Sequence, residues 1–281
     1  MPQALFKARR GAQPGDMLPA RSYATAVARA IAPGVTAPWI PLMRDPSDLR
    51  SLALALSDGR DWVDFEALVE ASWQLGVPVL HLPEIPVGGK KPDGMVTFVA
   101  GRPVVILLKA VKLAEWMVFI LAHELGHIAM GHLGTLDGAA VVDEKVSLAE
   151  EGTPASGPTD GGDTEEVEAN AYASGVLVPG GEQITLGNPP WPVAGRLADL
   201  ALNFGQMNKV SPGHAVLNAA NHSPRDGHPP FALGIKAAQV LAERLGTSST
   251  AETCRAAAQR HLNLDKLRPD TIEFLEKLEA I

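Results

Sequence analysis

Residues 123 to 127 read His-Glu-Leu-Gly-His and carry the clearest chemical signal in the chain. On a helix, positions i and i+4 lie on one face, so His123 and His127 would point the same way. Two imidazoles so placed can hold one Zn²⁺ at about 2.0–2.1 Å each. Glu124, beside the first of them, could then act as general base on a water held by the metal, which is metallopeptidase chemistry. The setting is helical: Leu113, Met117, Ile120, Leu121, Leu125 and Ile128 recur at three- and four-residue steps, and Gly131 offers a stop. The bland alternative is a core helix with two chance histidines, which would bury two imidazoles and a carboxylate at a cost.

A zinc site of this kind needs a third protein ligand. The metzincin arrangement would place Gly three residues and His six residues after His127, but those positions are Met130 and Leu133. The remaining solution is a Glu from a second helix. Residues 163 to 178 have helical character and stop before Pro179, with Asp163 a candidate cap, Glu166 its partner three residues on, and Val167, Ala171 and Val178 as the inward stripe. Glu168, one turn from both Glu165 and Tyr172, is the expected metal ligand completing a His₂Glu set, with Glu165 in reserve because helix periodicity allows either. Any one of these carboxylates could instead be a solvated helix start favoured by the macrodipole.

These segments together resemble the ImmA/IrrE family of metallo-endopeptidases. The likeness runs from about residue 64 to about residue 222. It rests on Leu121-Ala122-His123-Glu124-Leu125-Gly126-His127, an acidic connector, then Glu168-Ala169-Asn170-Ala171-Tyr172-Ala173 leading to Val178-Pro179. The resemblance implies His123, His127 and Glu168 as metal ligands and Glu124 as the base. It also implies a bacterial or phage-related regulatory protease whose protein substrate is a helix-turn-helix repressor or a related control protein. The implied metal is zinc, with manganese the alternative in the cell.

The positioning elements can be read from the same sequence. Asp64 to Leu75 has helical spacing with Gly76 as its stop, and Val77 to Leu82 reads as a short strand. Met95 to Ala100 and Val104 to Leu108 read as a hairpin joined around Gly101-Arg102-Pro103. Its edge could pair with an extended substrate. The expected fold is therefore α+β: a small antiparallel sheet with zincin-like active-site helices, followed by helical C-terminal additions. The expected organisation is an N-terminal segment over 1–50, a peptidase core over 51–185, a helix-turn-helix-like module over 186–230 and C-terminal helices over 231–281.

That module predicts helices over Val193 to Phe204 and Pro212 to His222, and raises a rival reading: a DNA-binding regulator with a relic zinc site. Gln206 to Lys209 lengthen the turn, and the second helix carries no Lys or Arg. Direct nucleic-acid binding is therefore not expected, since such proteins present a basic face. The module does hold His214 and His222, which with Tyr172 are the candidates to steady a tetrahedral intermediate. Tyr172 is better suited to packing. His132 could support His127 from outside the metal shell or lie at an exposed helix end. Ile272, Leu275 and Leu278 form one apolar stripe near the C-terminus.

Charge and composition agree with a cytoplasmic enzyme. The net charge is −8, from 32 acidic and 24 basic residues, and residues 137 to 168 hold ten acids and one base. Their centre, Glu150 to Asp163, should be a long mobile loop, either a solvated connector or a gate that attracts a basic partner. A single cysteine, Cys254, excludes an intramolecular disulfide and suits a small buried side chain. No apolar run approaches the ~20 residues of a membrane span. Residues 1 to 44 are Arg-rich and nearly free of acids, which fits a poorly ordered or partner-binding lead segment.

Overall fold

The computed structural model describes residues 18–84, 92–111, 113–143, 161–181, 184, 191–222 and 230–281. Among these the chain runs α1 (Leu18–Ile31), α2 (Pro46–Leu56), α3 (Phe65–Gln74), β1 (Val79–His81), β2 (Gly94–Val99), β3 (Arg102–Leu107) and α4 (Ala114–Met130). It continues through β4 (Ala140–Asp143), α5 (Gly161–Leu177), α6 (Ala194–Asn208), α7 (Pro212–His222), α8 (Pro230–Leu245), α9 (Thr250–His261) and α10 (Pro269–Lys277). The fold is α+β. The expected acidic loop and the Pro-rich linker fall largely on residues 144–160 and 185–190, outside the described residues.

The sheet is four-stranded, in the order β1-β3-β2-β4. The hairpin is present, but its turn is Ala100-Gly101, both at positive φ (49° and 81°), and Arg102 and Pro103 already belong to β3. Two successive positive φ angles suit the tight two-residue loops that match strand twist. The sheet is mixed rather than wholly antiparallel, because β1 pairs parallel with β3. β1 lies on the side of β3 away from β2 and runs in the same direction as β3. β2 and β3 are buried almost throughout. α1 packs against β2, and α4 packs against both strands. Cover of this kind explains apolar runs without alternation.

α3 begins as read: the Asp64 carboxylate accepts from the Ala67 N–H, and Gly76 follows the helix at φ 73°. α4 is the central element, packing against α3, α5, α7 and the sheet. Gly131 ends it at φ 83°.

The N-terminal segment contributes to the same core from residue 18 onward: Ala24, Val27, Ala28 and Ile31 are fully buried. Arg50 ties two helix ends together, donating to Val176 O at 2.8 Å and Lys209 O at 2.6 Å. α6 runs to Asn208, leaving a short turn at Lys209 (φ 57°) before α7. Residues 211–220, spanning most of α7, are buried. The C-terminal helices also join the core: Leu275 is buried, with Ile272 and Leu278 packed beside it. Cys254 is buried too, which pushes its thiol pKa up. No described helix is long and apolar enough to cross a membrane.

Candidate metal centre

α4 and α5 pack face to face, and their contact assembles the site. Gly126 makes this possible. A Cβ at that position would press on the Ala169 backbone, at 2.9 Å from its carbonyl oxygen and 3.0 Å from its Cα. The close approach puts three potential ligands together: His123, His127 and Glu166, with their ligand atoms all within 4.8 Å of one another. The two imidazole Nε2 atoms are 3.0 Å apart. Glu166 Oε2 lies 3.6 Å from His123 Nε2, and its Oε1 lies 3.7 Å from His127 Nε2. Ligands around tetrahedral zinc with ~2.0–2.1 Å bonds stand roughly 3.3–3.4 Å apart. The observed separations bracket that value.

The hydrogen bonds around the rings decide which atoms face inward. Asn170 Oδ1 lies 2.9 Å from His123 Nδ1, and an amide oxygen can only accept, so His123 carries its proton there. His132 Nε2 lies 2.8 Å from Glu168 Oε2 and donates to that carboxylate. With His132 neutral, its Nδ1 lone pair accepts from His127 Nδ1–H across 2.9 Å. Both rings then turn Nε2 lone pairs towards the Glu166 carboxylate. Three electron-rich atoms gathered in one place fit a divalent cation.

The third candidate ligand therefore differs from the sequence expectation. Glu166, not Glu168 or the reserve Glu165, stands against the two imidazoles. The cause is the phase of α5. Its buried side is Ala169, Tyr172, Ala173, Val176 and Leu177, whereas Val167 is 61% exposed and Ala171 is exposed. Glu166 shares the inward face with Asn170 and Ala173 at helical steps of four and seven. Glu168 is about 200° further round the helix and reaches His132 from the outer side. α5 also starts at Gly161, so Asp163 lies inside the helix and is not its cap.

Glu124 is fully buried on α4 between the two histidines. Its Oε1 lies against Gly94, the first residue of β2, where any Cβ would collide with the carboxylate. Gly94 was not singled out by sequence reasoning, although a glycine opening a strand can mark close approach of another group. Asn170 was visible in the motif but had no assigned role there.

The candidates for steadying an intermediate are only partly placed. His214 is buried on α7, and its ring stacks on Phe119 at 6.0 Å between centroids. Phe119 is in turn 6.5 Å from His123, so His214 borders the centre through that ring. The side chain of His222 lies outside the described residues. Tyr172 packs in the core with its Cβ beside Gly126, and burial raises its pKa, in line with a packing role.

No protein-family model matches the chain, and neither the curated proteins nor the solved structures contain a match.

Proposed function

We propose that this chain is a metal-dependent endopeptidase. In this reading His123, His127 and Glu166 hold the cation, zinc in the first instance and manganese as the alternative, and Glu124 is the general base. One observation carries it: two Nε2 atoms and a carboxylate converge beside a fully buried glutamate on the same helix. A zinc ion bound there supplies Lewis acidity to a peptide carbonyl. Glu124 accepts a proton on its carboxylate as the oxygen of water bonds to the carbonyl carbon. It returns that proton to the amide nitrogen as the C–N bond breaks. The balance closes with no covalent enzyme intermediate. Gly94 leaves the space in which the carboxylate sits.

The substrate in this proposal is a protein, a helix-turn-helix repressor or related control protein, acted on in the cytoplasm. That part rests on the resemblance to the ImmA/IrrE family. The burial of residues 211–220 supports a packing role for α7 over the rival role of reading a DNA groove.

The test joins metal analysis to cleavage. Purified full-length protein is expected to carry about one zinc or manganese per chain and to cut a repressor encoded beside its gene. A chelator should stop the cutting. Salt-dependent duplex binding by metal-free protein, with no cleavage under any metal, would instead support the regulator reading.

A further inference from the structure

Gly131 ends α4 in the left-handed region, and two bonds close the turn behind it: Gly131 N–H to Ile128 O at 3.2 Å and His132 N–H to His127 O at 3.0 Å. This pattern is a Schellman closure. It folds the His132 ring back onto His127, with ring centroids 5.0 Å apart and Nδ1 atoms 2.9 Å apart. From the neighbouring helix, Glu168 meets the other nitrogen of His132 at 2.8 Å. The His132 side chain is only 6% exposed, whereas that of Glu168 is 50% exposed.

We propose that His132 and Glu168 are positioning residues for His127, forming a carboxylate–imidazole–imidazole chain that sets the affinity of the centre for its cation. The inference rests on the reading of His123, His127 and Glu166 as a metal centre. Its logic is one of tautomers. A histidine that binds through Nε2 must place the Nδ1 proton on an acceptor, and the partner chosen fixes the ring's orientation and its basicity. His123 has a neutral amide for this purpose, Asn170. His127 has an imidazole backed by a negative charge. Donation from His132 Nε2–H to Glu168 keeps the His132 Nδ1 lone pair directed at His127 and polarises it. Stability alone gives no comparable reason for the arrangement, since a contact to a half-exposed carboxylate such as that of Glu168 contributes little to folding.

The test measures zinc affinity of the full-length protein by competition with a chromophoric chelator at one fixed pH, and the visible spectrum of the cobalt-loaded form. His132→Phe and Glu168→Ala should each weaken zinc binding about 10–100-fold and shift the cobalt bands. Glu168→Gln, which keeps an acceptor without the charge, should fall between wild type and Glu168→Ala. Because the two groups act in series, the double variant should bind no more weakly than the worse single one. The unfolding midpoints of the metal-free forms should match wild type, separating positioning from a general structural loss. Wild-type affinity in both single variants would overturn the proposal, as would losses that simply add. If Glu168→Ala abolished binding while Glu166→Ala did not, Glu168 would itself be a ligand: the relay would fall and a metal centre would remain. If wild type bound neither zinc nor cobalt, the metal-centre reading would fall, taking the relay with it.

Discussion

At the scale of single residues, the site depends on which carboxylate does what, and three glutamates within four positions have different surroundings. Glu166 faces the imidazoles, Glu168 faces His132, and Glu165 belongs to neither contact described above. Replacing Glu166 with Ala removes one of the three groups proposed to hold the cation and should eliminate zinc uptake measured by elemental analysis, whereas Glu165→Ala should leave it at the wild-type level. Retention of the metal by Glu166→Ala would displace this residue from the ligand set. Glu124 makes a different prediction because it stands beside the cluster rather than in it. Glu124→Gln keeps the shape of the side chain and removes the proton acceptor. The variant should bind zinc normally and lose about 10²–10⁴-fold in turnover of a protein substrate. Equal turnover would take the base role away from Glu124.

Elements place these residues, and the two site helices were not equally legible. α4 announced itself through its apolar spacing, its paired histidines and Gly131, and all of these stand where the pattern put them. α5 was legible as a helix but not in phase. It carries alanine on several sides, at Ala169, Ala171 and Ala173, so small residues mark no face. The one bulky apolar residue in its first half, Val167, points to solvent and drew the inferred stripe the wrong way. The cap reading took up Glu166, and both helix periodicity and the family resemblance pointed to Glu168 as the ligand. β4 was hidden for another reason: Ala140 to Asp143 acquires strand form by pairing with β2, a tertiary cause with no local signature inside an acidic stretch. The glycines at the contacts test the packing directly. Gly126→Ala forces α4 and α5 apart and should cost about 1–3 kcal/mol, read as a lower denaturant midpoint, with weaker zinc binding. Gly94→Ala pushes on Glu124 and should reduce turnover while leaving zinc content intact. A wild-type rate in Gly94→Ala would mean that the carboxylate has room the structure does not give it.

For the whole molecule, α1, α2 and α9 pack on the sheet and on α3, while α8 packs on α6 and α7. The C-terminal stripe of Ile272, Leu275 and Leu278 was readable in sequence, but its destination was not, because a stripe does not name the surface that covers it. α9 lies against α3 and β1. The His261 ring stacks on Trp73 at 5.5 Å, and Glu70 receives His261 Nε2 at 2.6 Å and Arg260 at 3.0 Å. Partial burial raises the Glu70 pKa, but the hydrogen bonds and positive charges of Arg260 and His261 outweigh it, and the net direction is downward. A carboxylate whose folded pKa is depressed stabilises the fold above its unfolded pKa and loses that contribution as pH falls through the folded value. Wild type should therefore exceed Glu70→Gln in stability near neutral pH by about 1 kcal/mol or less, the pair being partly solvent-screened. The difference should shrink as pH drops below about 4.3, the ordinary glutamate value, and vanish once Glu70 is protonated in both states. Urea midpoints of the two proteins across that range provide the measurement. A gap that stayed constant down to acid pH would show that the Glu70 charge does not anchor the C-terminal helices, leaving the Trp73–His261 stack and the apolar contacts to hold them.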